Sequence, residues 1–183
     1  MHLDLELSRS ALAATIAALA GRELTVATAE SLTGGLLGAV LTEIPGSSAV
    51  FRGGLLVYAT ELKTVLAGVD PALLAAHGPV HPDVAVQLAD GARTRCGATL
   101  GVGLTGVAGP DPQDGLPAGT FHVAVSDANR TLTLAGDPSA VPADRDAVRS
   151  WVRSAAVLAA IRLLDHVAHG RWEIDPREQP AAE

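Results

Sequence analysis

The chain has 183 residues, 48% hydrophobic, 18% charged and 3% aromatic, with 13 Lys plus Arg against 20 Asp plus Glu for a formal net charge of −7. That length and an apolar content spread along the whole chain predict a single domain with one aliphatic core of Ala, Leu and Val, and exclude extended disorder. No apolar run approaches the ~18 to 20 residues a bilayer requires, and the acidic balance gives no field to attract a polyanion, so membrane and nucleic-acid roles are excluded while a pocket for one phosphate is not.

In chain order, Leu12, Ile16 and Leu19 recur at helical spacing and predict an amphipathic helix over Ser8 to Ala20, with Ser8 or Ser10 as N-cap. The apolar stretch Ala11 to Ala20 lacks the basic start of a secretory signal, since Asp4 and Glu6 precede it. Leu24 to Thr28 reads as a strand, Leu36 to about Glu43 as a helix, and Pro45-Gly46-Ser47-Ser48 as the loop that stops it. A second strand spans Phe51 to Tyr58, where Gly53 and Gly54 permit a close approach. Helical pieces at Glu61 to Leu66 and Pro71 to Ala76 precede a stronger helix, Pro82 to Cys96, closed by Gly97. Thr99 to Thr105 is a strand, and Thr120 to Ser126 with Arg130 to Ala135 form an antiparallel hairpin. A final long helix runs from Asp144 to about Ala168. The pattern predicts a three-layer α/β/α sandwich with a mixed β-sheet, a single domain over residues 1–170, and a loose polar tail at 171–183. The lone Cys96 fits a reducing, cytoplasmic compartment.

Four segments carry candidate chemistry. Thr28-Ala29-Glu30-Ser31-Leu32-Thr33-Gly34-Gly35 places hydroxyls and glycines at a strand-to-helix junction, where unpaired amides of a helix start can hold an oxyanion or phosphate; a plain helix cap is the alternative. Gly101-Val102-Gly103-Leu104-Thr105-Gly106 spells a dinucleotide fingerprint, but Pro110 and Pro112 block the helix that must follow, so dinucleotide binding is rejected. Its glycines are left as loop or pocket lining. Lys63 is the only lysine and Tyr58 the only tyrosine, a few residues apart; a lysine lowered toward neutrality by burial can act as a base, where arginine cannot. Arg145 and Arg149 share one face of the last helix and suit a phosphate, or else bridge to neighbouring carboxylates. No His, Cys or Asp spacing matches a metal site, and neither metal nor cofactor is expected.

Together, Ala29-Glu30-Ser31-x-Thr33-Gly34-Gly35, Pro45-Gly46-Ser47-Ser48 with Phe51-x-Gly53-Gly54 and Tyr58, Lys63, Thr105-Gly106-Val107-Ala108-Gly109-Pro110, and Arg145-x-x-x-Arg149 resemble the C-terminal domain of the CinA family, including its stand-alone nicotinamide mononucleotide deamidase form. The likeness covers Leu12 to Leu164, and five strings in one order make it specific. It implies a nicotinamide-nucleotide amidohydrolase with Ser31 as nucleophile, activated by Lys63 and Tyr58. The resemblance further implies that Thr33, Gly34, Gly35, Gly46, Ser47, Ser48, Thr105 and Gly106 hold the ribose phosphate and shape the oxyanion site, with Arg145 as an added charge partner. A homodimer is the expected assembly, and a catalytically silent nucleotide-binding module is the competing reading. The chain differs from the family pattern at Leu32, Ala59-Thr60, His81 and Leu116-Pro117-Ala118; the changes at Ala59-Thr60 and Leu116 bear on substrate affinity more than on chemistry.

Overall fold

The computed structural model describes residues 9–174. Its centre is a five-stranded mixed sheet in the order β2-β1-β3-β4-β5. The strands are β1 (Val26–Glu30), β2 (Phe51–Leu56), β3 (Leu100–Gly106), β4 (Phe121–Ser126) and β5 (Thr131–Ala135). The first three are mutually parallel, β1 pairing Thr28 with Gly54 on one side and with Val102 on the other, and β4 and β5 add antiparallel to β3. The α-helices are α1 (Arg9–Gly21), α2 (Leu36–Thr42), α3 (Thr60–Ala67), α4 (Pro71–His77), α5 (Pro82–Cys96) and α6 (Arg145–Ala168). Most elements fall within a residue or two of their sequence-predicted bounds. The Ser8 capping reading lies outside the described residues.

Strand parity sorts the two layers. Val26, Leu100, Val102, Leu104, Val123 and Val125 bury on one side beneath residues of α1, α2 and α6 such as Leu12, Leu37 and Ile161. Ala27 and Ala29 bury on the other side with Val84, Leu88 and Ala92 of α5. On β3 the α5-facing positions are glycines. A Cβ on Gly101 would meet the Ala89 carbonyl oxygen at 1.8 Å, and one on Gly103 the Ala85 carbonyl oxygen at 2.1 Å. The glycine string therefore serves as a seam along which α5 approaches the sheet; only Gly106, at its end, reaches a cavity.

The stretch read as a loose tail begins with packed residues. Trp172 and Ile174 lie against the main core, and the Arg130 guanidinium sits 4.3 Å over the Trp172 ring. An indole has apolar area to bury and a π-face for a cation, which a charge count of this segment does not register. The remainder of that reading, 175–183, lies outside the described residues.

Candidate active site

Because β1, β2 and β3 are parallel, the residues that leave them gather at one end of the sheet. Ser31 follows β1, Tyr58 follows β2, and Thr105 and Gly106 end β3. They line a cavity of about 340 Å³ with Lys63, Pro79, Val80, Gly109, Asp111 and Arg149. Parity decides what β1 presents there. Ala27 and Ala29 face α5, and Glu30 turns to the opposite side, toward α2.

Glu30 determines the local geometry. The residue is 1% exposed. It accepts hydrogen bonds from the backbone N–H groups of Gly35 at 3.1 Å, Leu37 at 3.0 Å and Gly38 at 2.9 Å, and from the Thr28 hydroxyl at 3.3 Å. Three backbone amide bonds at the start of the helix offset the burial of this side chain. The amides at the start of α2, expected from the sequence to receive substrate, are thus occupied from within. The turn between Glu30 and α2 is closed again by the Gly34 N–H on the Ser31 carbonyl, at 3.1 Å.

Lys63 lies on the inward face of α3 and is 1% exposed, while Ser31 is 7% exposed. Lys63 Nζ is 3.0 Å from Ser31 Oγ and donates to the Val57 carbonyl at 3.0 Å. Burial pushes the ammonium down from 10.5 to about 8, against an opposing pull from the Glu61 carboxylate. A neutral amine here keeps one N–H on Val57 and aims its lone pair at the Ser31 hydroxyl. That arrangement can remove the hydroxyl proton.

The other sequence-derived site residues divide. Thr105 and Gly106 line the cavity, the Thr105 hydroxyl donating to the Pro79 carbonyl at 2.6 Å. Tyr58 stands at the mouth, 63% exposed, its hydroxyl accepting from Arg149 at 2.9 Å rather than contacting Lys63 or Ser31. Thr33, Gly34 and Gly35 adjoin Ser31 in sequence but do not line the cavity. Gly46, Ser47 and Ser48 lie before β2, not after it, and Val50 receives the Val26 amide at the opposite end of β1. A five-residue strand, roughly 16 Å, separates that loop from Ser31. Arg145 points outward to an exposed pair with Asp111 at 2.8 Å.

Arg149 takes the place that sequence reasoning gave to Arg145. It lines the cavity and also donates to the Gly109 carbonyl at 3.0 Å. The two arginines share a helix face, so only the placement of α6 against the 109–111 loop separates them. Asp111 and Gln113 also line the cavity, and nothing in their local pattern announced it. Among the described residues, no group of three His, Cys, Asp or Glu side chains is placed to hold a metal ion, and no helix is long and apolar enough to cross a membrane.

A mixed α/β/α domain with a buried serine–lysine pair at the ends of its parallel strands is what fold and site define. Residues 9–168 match the family model described as the CinA C-terminal domain, and the chain belongs to that family. A CinA-like protein of Frankia casuarinae is 45% identical over 152 residues, 83% of this chain and 34% of its own length. Another from Gemmatimonas aurantiaca is 47% identical over 146 residues, 78% of this chain and 32% of its own. The chain spans about a third of the length of these curated relatives. Among solved structures, the competence/damage inducible protein CihA of Agrobacterium tumefaciens superposes with a TM-score of 0.75 at 34% identity, covering 87% of this chain and 96% of that one. A CinA superfamily protein of Klebsiella pneumoniae gives 0.78 at 28% identity, covering 90% and 99%.

Proposed function

We propose that this domain is a serine amidohydrolase that cleaves the carboxamide of nicotinamide mononucleotide to nicotinate mononucleotide and ammonia. The observation that carries the reading is the 3.0 Å approach of a buried, depressed-pKa lysine to the Ser31 hydroxyl. Site volume supports the substrate class: about 340 Å³ is at the small end of the ~300 to 1,000 Å³ of small-molecule sites, suited to one nucleotide rather than two. Arg149 at the mouth is the group for its phosphate, in a fork geometry that matches phosphate oxygens.

In this mechanism neutral Lys63 takes the Ser31 proton as Oγ bonds to the amide carbon. The carbonyl π electrons move to oxygen, giving a tetrahedral oxyanion. The Leu32 amide, which has no acceptor among the described residues and belongs to a residue that lines the cavity, is a donor for it. Collapse reforms the carbonyl and breaks the C–N bond, and protonated Lys63 gives its proton to the departing ammonia. Water then attacks the Ser31 ester with Lys63 again as base, releasing the acid and restoring the hydroxyl. The test is ammonia release from nicotinamide mononucleotide by the purified chain, with Ser31→Ala and Lys63→Ala each reducing it at least ~10³-fold while the fold persists. Nucleotide binding without ammonia release by the unmodified protein would refute the enzyme reading in favour of a silent binding module.

A further inference from the structure

Three arginines of α6 stand four apart on one face, and each reaches a different segment around the cavity. Arg145 holds Asp111, Arg149 holds Tyr58 and the Gly109 carbonyl, and Arg153 donates to the Thr33 carbonyl at 2.7 Å. Arg153 does not line the cavity, so it has no direct access to a bound ligand.

Its position along the chain gives it leverage. The peptide that enters Ser31 is fixed by the Ser31 N–H on the Leu104 carbonyl at 3.1 Å. The peptide that leaves Thr33 is fixed by Arg153 and by a longer bond from the Leu36 N–H, 3.3 Å. Between these anchors lie two peptide planes; the first carries the acceptor-free N–H of Leu32, and its Ser31 carbonyl accepts at 3.1 Å from the Gly34 N–H, which sits on the same peptide that Arg153 holds. The Thr33 side chain supplies no substitute anchor, because its buried Oγ1 has no hydrogen-bond partner. A charge-assisted bond on the Thr33 carbonyl therefore acts through that peptide on the Leu32 amide beside the nucleophile, and its loss leaves only the two backbone bonds made by Gly34 and Leu36 to hold the turn.

We propose that Arg153 is a positioning residue: by holding the Thr33 carbonyl from α6, it sets, through the Gly34 N–H on the Ser31 carbonyl, the orientation of the Leu32 amide relative to Ser31 Oγ. This deepens the reading of Ser31 as a nucleophile and rests on it. Small misplacement of such donors is costly, since an error of about 1 Å can lower a rate by as much as ~10²-fold.

The experiment uses the whole chain with Arg153→Ala and Arg153→Lys, and reads three quantities: kcat and KM for ammonia release from nicotinamide mononucleotide, the rate of Ser31 phosphonylation by a fluorophosphonate followed by intact mass, and the thermal midpoint. For Arg153→Ala we expect kcat and the labelling rate each to fall about tenfold, KM to stay within about twofold, and the folded fraction to be unchanged. Arg153→Lys, which can still donate one bond, should recover part of both losses. Unchanged kcat and labelling, a change confined to KM, or a loss matching the unfolded fraction would each overturn the proposal. If the unmodified protein releases no ammonia but is labelled at Ser31, and Arg153→Ala slows that labelling, the substrate assignment fails and the positioning role stands. Absence of both labelling and ammonia release in the unmodified protein overturns both.

Discussion

The depressed Lys63 pKa makes the pH profile a direct readout of the proposed base. With an ammonium that titrates at about 8, about one tenth of the enzyme has neutral Lys63 at pH 7 and about nine tenths at pH 9. The single-turnover rate at saturating substrate should therefore rise about tenfold between those values and then level off. A lysine left at its ordinary ~10.5 would instead give a rise of about a hundredfold over the same interval with no plateau. Glu61 supplies the perturbation. Its carboxylate, in the first turn of α3, raises the Lys63 pKa against the larger effect of burial, so Glu61→Gln should move the inflection to lower pH. At pH 7 the variant should be faster than the unmodified protein, by no more than the about tenfold that separates pH 7 from the plateau, while the plateau itself is unchanged. Glu61 is exposed, so the fold should tolerate the change. Ammonia release in rapid-quench experiments from pH 6 to 10 measures both profiles. An inflection near 10.5, or one that moves upward in Glu61→Gln, would refute the assignment of Lys63 as the base.

The same titration reaches stability. Between pH 8 and 10.5 the unfolded chain binds a proton at Lys63 that the folded chain does not, so unfolding free energy should rise with pH by about 3 kcal/mol across that window, and Lys63→Met should remove that contribution in denaturant titrations. Glu30→Ala leaves three amide donors at the start of α2 unsatisfied and should cost about 3 kcal/mol or more; equal stability in urea would sink the capping role. Gly103→Ala forces a methyl into the Ala85 carbonyl and should destabilise by about 1–3 kcal/mol, visible as a lower thermal midpoint. Arg149→Ala should raise KM for the mononucleotide while leaving that for the dephosphorylated nucleoside unchanged, and Arg145→Ala should alter neither; equal effects of the two would contradict the placement of α6.

Much of this fold is written in local signals. Gly97 ends α5, Asp144 caps α6 by accepting from the Asp146 N–H, and the Asp127 carboxylate closes the β4–β5 turn on the amides of Asn129 and Arg130. Each is a short-range interaction, and short-range interactions leave sequence patterns. The lone lysine was legible because it is the one residue of its type in the chain, and a lysine can give up its proton where an arginine cannot. What was not legible depended on distance. A glutamate one residue before the serine gives no sign that it reaches forward to three amides, because that requires the turn to be folded already. Whether Gly46 to Ser48 lies at the near or the far end of β2 follows from strand direction, and the choice between Arg145 and Arg149 from how α6 packs. The glycine string on β3 has the spelling of a phosphate loop and the use of a packing seam, and only the carbonyls of α5 distinguish the two.

Glu30 also shapes the electrostatics of the whole cavity. By occupying the amides of α2, it removes one source of positive potential that pH cannot change, leaving the Leu32 amide and the arginine at the mouth. The remaining positive charge inside is Lys63, and the proposed chemistry needs it uncharged at the moment of attack. Attraction for an anionic ligand and readiness of the nucleophile therefore run in opposite directions along the pH axis: the site is most welcoming when it is least reactive. An optimum then arises as a compromise between capture and turnover, set by one amine, and the neighbouring Glu61 tunes where it falls.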